Sequence, residues 1–308
     1  MQTFHPNSQQ RGNIVMKIGP ILALIPPLIS PLATVSAVDT QRTLIQNRGS
    51  DSMAIAVVGW SERYRLKNTA TGVAVSGGGT GTGIAALLNG TVDVANASRA
   101  MNSREINLAR ERGIAPVQHI IGYDAVAVYV HKDNPVKSLS FSQLADIYGD
   151  GGKTELWTDL DIEVPGCGDQ KIVRVGRQNS SGTYAYLRKN VLGGKRFKQG
   201  TLEAQASKDL VGLVVKTPCA IGYSSFAYAT PDVKVACIME NSDAPCLIPS
   251  IRGVTERTYP VSRPLYMYTN GPATGDVKSY LDWILSDEGQ CILLKHQYAP
   301  VRELKCEG

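Results

Sequence analysis

The sequence has few of the residues from which metal sites are usually built. Its four histidines are scattered, and no two cysteines stand at the Cys-x-x-Cys spacing of a zinc site. Basic residues never run for more than two consecutive positions, and the net charge is only +5. We therefore expect no metal centre and no cofactor, and we exclude a nucleic-acid-binding protein.

Long apolar runs are also missing beyond the first 37 residues. The stretch that starts at Met16, MKIGPILALIPPLISPLATVSA, has a lysine, an apolar run with four prolines and a small-x-small end. This pattern predicts a signal peptide that is cleaved after Ala37. Residues 1–15 are then an upstream extension, which is not translated if Met16 is the true start. A membrane anchor is the alternative, but the run is short and broken by proline. Because no cysteine stands at the cleavage site, we expect a periplasmic or secreted protein without a lipid anchor.

Six cysteines follow the predicted signal peptide. An even number of cysteines in an exported chain predicts disulfides, and many connectivities are possible. Short loops favour the pairs Cys237–Cys246 and Cys291–Cys306. The two remaining cysteines then form the pair Cys167–Cys219.

Strand patterns alternate with helix patterns along the rest of the chain, which predicts an α/β fold with a largely parallel sheet. A long apolar strand near Tyr123 suits a crossover from one lobe to another, and the strand pattern at 259–269 suits the return. The domains expected are lobe I at 38–123 plus 257–308 and lobe II at 124–256, with a cleft between them. The last pattern, GDVKSYLDWILSDEGQCILLKHQY, predicts one long helix.

Three predicted helices begin with small hydroxyl residues. They start at GSDSM with Asp51 and Ser52, at GGTGTG with Thr80 and Thr82, and at SSGT from residue 180. Plain helix capping explains any one of them. However, the first turn of a helix has free N–H groups and a partial positive charge, so three converging starts favour a compact, multiply charged anion.

Two arginines at predicted strand ends support an anion site. Arg177 ends IVRVGR, just before SSGT, and Arg99 ends VDVANASR. Ligands of α/β proteins bind at the carboxyl ends of strands, and a guanidinium can donate to two oxygens of one anion. The alternative is that each arginine pairs with a surface carboxylate.

Other functions of the glycine-rich stretch VSGGGTGTGIAALL fit less well. A nucleotide-binding loop would need lysine after the last glycine, where Gly83 is followed by Ile84. A dinucleotide fingerprint can be placed on Gly81, Gly83 and Ala86, but such a lone match is weak. The GxSxG pattern of a catalytic serine is missing. The stretch therefore favours a free anion.

The stretches GGGTGTGIAALLNGTVDVANASR, GRQNSSGTYAYL, CAIGY, YPVSRPLYMYT and LSDEGQ closely resemble the phosphate-binding proteins of phosphate-specific ABC transporters. The resemblance runs in order from about Gly49 to Pro300. It implies a type II periplasmic-binding-protein fold with mixed, mostly parallel sheets and two crossover strands. It also implies a monomer without enzymatic activity that closes on inorganic phosphate and delivers it to ABC permease subunits.

The resemblance also implies a set of phosphate ligands by matching positions. Some members of the family have aspartate directly after Ala-Ser, where it accepts the proton of hydrogen phosphate; here Ser98 is followed by Arg99. We hypothesise that Asp124, at the predicted crossover, is the acceptor instead; the alternative is a structural aspartate paired with Arg99 or with backbone. The expected site residues are Ser52, Met53, Thr80, Gly81, Thr82, Ser98, Arg99, Asp124, Arg177, Ser181, Gly182 and Thr183.

Three other functions stay open. A related oxyanion such as sulfate, molybdate or arsenate could be the ligand. A secreted phosphatase or phosphoryl-transfer enzyme could use the same helix starts, although Asp51 beside Ser52 is the only visible candidate for catalysis. An extracellular adhesion or signalling protein could keep the fold without transport.

Overall fold

The computed structural model describes residues 43–306, so the predicted signal peptide lies outside the described residues. The strands are β1 Thr43–Gly49, β2 Thr71–Ser76, β3 Val94–Ala97, β4 Pro116–His131, β5 Ser138–Ser140, β6 Val173–Arg177, β7 Leu202–Ala204, β8 Ala220–Ser225, β9 Val233–Val235, β10 Cys237–Met239 and β11 Ser262–Asn270. The α-helices are α1 Ala54–Lys67, α2 Thr80–Leu88, α3 Ser103–Glu111, α4 Phe141–Tyr148, α5 Gly182–Asn190, α6 Ser207–Lys216, α7 Ile251–Thr255, α8 Gly275–Ile284 and α9 Asp287–Lys295. Short 3-10 helices span Asp51–Met53, Trp157–Leu160 and Phe226–Tyr228.

The main sheet has the strand order β2-β1-β3-β11-β4-β8-β6-β7, with β9 beside β4. Strand β1 runs parallel to β2 and β3, and β6 runs parallel to β7 and β8. The central strands β4 and β11 are antiparallel to their neighbours in the sheet. The predicted α/β class with mixed sheets is confirmed. We call β1, β2, β3 and β11 with their helices the first half, and β6, β7 and β8 with theirs the second half.

The 16-residue strand β4 connects the two halves. It pairs with β11 as far as Ala125, and from Val126 onward it pairs with β8. The chain returns beside the same point, where the Val126 N–H donates to the Val261 carbonyl at 2.9 Å. This change of partner lies next to the predicted lobe boundary at 124, and the lobe limits themselves stay a prediction.

Each half packs around a hydrophobic core of its own. Trp60, Met267 and Tyr280 are buried in the first half, where α1, α8 and α9 cover the sheet. Trp157 and Tyr223 are buried in the second half. Because the two halves bury their apolar side chains in separate clusters, the interface between the halves can be lined with polar groups.

The predicted long helix near the C-terminus is wrong, because the chain forms α8 and α9 with a break after Leu285. Ser286 caps the second helix, since its hydroxyl accepts the Gly289 N–H. A Cβ at Gly289 would lie 2.4 Å from the carbonyl oxygens of Trp283 and Ile284, so the reversal needs glycine there. The serine cap therefore outweighs the helical periodicity of the stretch.

Three disulfides join Cys167 to Cys219, Cys237 to Cys246 and Cys291 to Cys306. This confirms the pairing that short loops favoured. Disulfides of this number are typical of proteins outside the reducing cytoplasm. Among residues 43–306, no helix combines the length and the apolar character that a membrane span requires.

We expect the disulfide that closes the longest loop to contribute most to stability. Cys167–Cys219 closes 52 residues and Cys237–Cys246 closes nine. The chain-entropy model gives about 4 kcal/mol for the first loop and about 2.5 kcal/mol for the second. Urea unfolding of the paired variants C167A/C219A and C237A/C246A should show that order in the free energy of unfolding. Equal losses of unfolding free energy in the two variants would contradict an entropic origin of the disulfide stabilisation.

Candidate functional site

The chain segments that begin α1, α2 and α5 meet between the two halves. The hydroxyl oxygens of Ser52 and Thr183 lie 2.7 Å apart, one from each half. The Thr80 and Ser98 hydroxyls are 3.4 Å apart. The Ser50 hydroxyl donates to Ser98 at 2.9 Å. We call these five residues the hydroxyl cluster, and none of them is more than 4% exposed.

Glycine lets the backbone of α5 approach this cluster. A Cβ at Gly182 would lie 2.4 Å from the Ser98 hydroxyl oxygen and 2.5 Å from that of Thr80. A second close approach is at Gly79, which has φ +96° and whose Cβ would lie 2.7 Å from the Ser180 carbonyl oxygen. These two glycines allow the backbones at the starts of α2 and α5, from opposite halves, to approach each other closely. An anion bound between the N–H groups of two helix starts requires such a close approach.

Arg177 lies at the same interface and is 1% exposed. Its Nη2 donates to Asp51 Oδ2 at 3.0 Å across the two halves, and its Nη1 donates to the Ser207 hydroxyl at 2.8 Å. Burial lowers the pKa of the Arg177 guanidinium, and the charge of Asp51 opposes that shift. Asp51 is itself held by the Gly78 N–H at 3.1 Å. The partner of Arg177 is therefore a buried carboxylate, not a surface one.

Arg263 is a second buried guanidinium, which the sequence analysis missed. Antiparallel register sets Arg263 on β11 directly opposite Asp124 on β4. Its Nε and Nη2 donate to Asp124 Oδ2 at 3.1 and 2.8 Å, and Nη2 also reaches the Thr183 hydroxyl at 3.0 Å. Its Nη1 is buried and has no hydrogen-bond partner within residues 43–306. A signal was present in the sequence, since arginine interrupts the apolar strand pattern YPVSRPLYMYT at a predicted crossover.

Asp124 has no exposed surface. The Ser225 hydroxyl donates to Oδ1 at 2.6 Å, while Oδ2 receives Arg263. Burial raises the pKa of the Asp124 carboxyl, and Arg263 and Ser225 oppose that rise. Arg99, one of the two partners considered for a structural Asp124, does not pair with it, because Arg263 occupies that place. The proton-acceptor hypothesis stays a prediction, although both carboxylate oxygens are engaged and Arg263 connects the carboxylate to Thr183.

Arg99 lies outside the hydroxyl cluster, which corrects the expectation that it would act beside Arg177. Its Nη1 and Nη2 each donate to a Glu105 oxygen at 2.7 Å, and its side chain is 17% exposed. Glu105 is fixed because it also forms the capping box of α3 with Asn102. This fixed carboxylate six residues away draws the guanidinium off the cluster.

The other predicted residues divide into two groups. Ser181 caps α5, since its hydroxyl accepts the Thr183 N–H at 3.1 Å. Met53 and Gly81 use their N–H groups in backbone bonds to the carbonyls of Ser50 and Ser180. The Thr82 hydroxyl donates to the Gly78 carbonyl at 2.7 Å and so does not join the hydroxyl cluster. The predicted residues brought together are Ser52, Thr80, Ser98, Gly182 and Thr183, with Ser181, Arg177 and Asp124 beside them.

Comparison with known proteins gives a consistent family. A family model described as a PBP superfamily domain matches residues 34–288. The phosphate-binding protein PstS of Pseudomonas aeruginosa is 30% identical over 263 residues, which cover 82% of this chain and 81% of that protein. PstS of Bacillus subtilis is 31% identical over 258 residues, with 83% and 80% covered.

A solved structure supports the same family assignment. It is a Clostridium perfringens protein, assigned as a phosphate ABC transporter substrate-binding protein and holding bound phosphate. It is 28% identical to this chain, with a TM-score of 0.74, and the match covers 84% of this chain and 100% of that one. The chain therefore belongs to the PBP superfamily and, within it, to the family of these PstS relatives.

Proposed function

We propose that this protein is an exported, monomeric solute-binding protein that captures inorganic phosphate between its two halves. It would then deliver the anion to ABC permease subunits without chemical change. The observation that carries the proposal is the convergence of three helix starts on one hydroxyl cluster. Arg263 contacts this cluster through Thr183, and Arg177 is buried beside it in its pair with Asp51. The relatives named as phosphate-binding proteins, and the bound phosphate of the Clostridium perfringens structure, support phosphate as the ligand.

Capture follows from donors on both sides of the interface. Ser52, Thr80 and Ser98 belong to the first half, and Thr183 with the α5 N–H groups belongs to the second. The hydroxyls of Ser52 and Thr183 would exchange their mutual hydrogen bond for donation to phosphate oxygens. Closure is favoured because the anion contacts both halves only when they meet. Burying its charge is tolerable when every oxygen finds backbone, hydroxyl or guanidinium donors.

The charges around the cluster are nearly balanced. Arg177 is paired with Asp51 and Arg263 with Asp124. Dipoles and hydrogen bonds would therefore hold the anion more than net charge does. A hydroxyl can also accept a hydrogen bond, so the cluster can accept from the O–H group of hydrogen phosphate without a free carboxylate.

Calorimetric titration of protein stripped of bound anion, with phosphate, sulfate and arsenate, tests the proposed function. Phosphate at about 100 times its Kd should also raise the free energy of unfolding by about 2.7 kcal/mol. If sulfate or arsenate binds more tightly than phosphate, that anion is the ligand in place of phosphate. Hydrolysis of a phosphomonoester would support the alternative function as a phosphatase. If none of these anions binds or stabilises the protein, a signalling or adhesion role remains.

Thr183→Val should weaken phosphate binding strongly. The change removes the hydroxyl that contacts both Ser52 and Arg263 and keeps the side-chain shape. Hydrogen bonds to charged groups contribute about 1.5–3 kcal/mol, so Kd should rise roughly tenfold to a hundredfold in calorimetry. Thr255→Val is the matched control, since that exposed hydroxyl bonds to the Ile251 carbonyl on α7. Equal effects of the two variants would refute this role of Thr183.

Asp124→Asn separates the two hypotheses for that residue. If Asp124 positions Arg263, breaking the buried pair should lower the free energy of unfolding of the anion-free protein by about 3 kcal/mol. Added phosphate should restore part of this loss, because the anion supplies the charge that Arg263 then lacks. The ratio of phosphate to sulfate affinity should stay the same in calorimetry. A fall in that ratio by tenfold or more would instead establish Asp124 as the proton acceptor.

A further inference from the structure

A groove of about 870 Å³ lies beside the hydroxyl cluster. Ser98 and Arg263 border both the groove and the cluster, so the two are adjacent. Most of the remaining wall comes from α5 and from the segment after β3. We call it the outer groove; its polar and aromatic lining includes Arg99, Asn102, Tyr184, Tyr186, Arg188 and Lys189.

The outer groove is lined by positive charge. Among residues 43–306, four cationic side chains and no aspartate or glutamate line it. Arg99 is neutralised by Glu105 and Arg263 by Asp124. Arg188 and Lys189, in the last turn of α5, have no ion pair with any described carboxylate.

The cation of Arg188 is also held in place. Its Nε donates to the carbonyl oxygens of Gly194 at 3.1 Å and Lys195 at 3.2 Å. The lining of the groove also includes the rings of Tyr184 and Tyr186, and the Cζ of Arg263 lies 5.7 Å from the ring centroid of Tyr186. Low-dielectric walls with charge of one sign focus the electric field and raise the local concentration of the opposite ion.

We propose that the outer groove is a second anion site, which collects hydrogen phosphate through Arg188 and Lys189 before it enters the hydroxyl cluster. This inference rests on the proposed function. Arg263 provides the next contact inward, since it borders the groove and its buried Nη1 has no partner within the described residues. The outer groove would set the rate of capture, whereas the hydroxyl cluster would set the rate of release.

The test compares phosphate association and dissociation rates in the full chain and in R188Q/K189Q. Association should slow by about threefold to tenfold at low ionic strength, and the difference should shrink as salt screens it. Stopped-flow fluorescence measures association, and displacement of labelled phosphate by excess unlabelled phosphate measures dissociation. The dissociation rate should stay the same, so Kd from calorimetry should rise by the same factor as association falls.

Two controls separate a local site from net charge and from loop structure. K208Q/K216Q removes the same charge from exposed positions on α6 and should leave association unchanged. R188K keeps the charge but changes the donors to Gly194 and Lys195, and it should retain fast association.

Three outcomes would overturn the inference. They are unchanged association in R188Q/K189Q, an equal slowing in K208Q/K216Q, or a change confined to dissociation. If the unaltered protein binds no phosphate in calorimetry, the proposed function fails first and the outer groove loses its ligand. If it binds phosphate and T183V weakens that binding, the proposed function stands whichever result the groove variants give.

Discussion

The ion pair between Arg263 and Asp124 connects the centre of the fold with the candidate site. A guanidinium buried between two crossover strands needs a carboxylate close by, and the antiparallel register of β4 and β11 puts one directly opposite. The same arginine donates to Thr183, so the pair extends into the hydroxyl cluster. The point where the chain passes between the halves is therefore also the point that holds the side chain of Thr183, a proposed phosphate contact from the second half.

A second ion pair, between Arg177 and Asp51, joins the halves directly. Buried ion pairs contribute little net free energy to stability, because the desolvation of both charges offsets most of their attraction. Closure therefore cannot depend on the Arg177–Asp51 pair alone. An anion that accepts hydrogen bonds from Ser52, Thr80 and Thr183 at once adds contacts that exist only when the halves meet. This explains how a site with nearly balanced charge can still favour the ligand-bound, closed arrangement.

The features predicted correctly from the sequence are mostly local. Helix α1, the glycine-assisted start of α2 and the serine cap of α5 follow from patterns within a few residues, and short loops favoured two of the disulfides. The role of Arg263 depends on strand register between distant segments, which no local pattern specifies. Arg99 was predicted at the anion site, but Glu105, which caps α3, also pairs with its guanidinium, and the sequence analysis did not consider Glu105.

Helix α5 links the two parts of the proposed capture route. Its first turn contacts the hydroxyl cluster through Gly182, and its last turn presents Arg188 and Lys189 to the outer groove. Lys189 follows Gly182 by seven residues, a rise of about 10 Å along the helix. Long-range attraction needs unpaired charge, whereas selective retention needs fixed short-range donors with little net charge. Placing the two at opposite ends of one helix lets each be altered by substitution without removing the other.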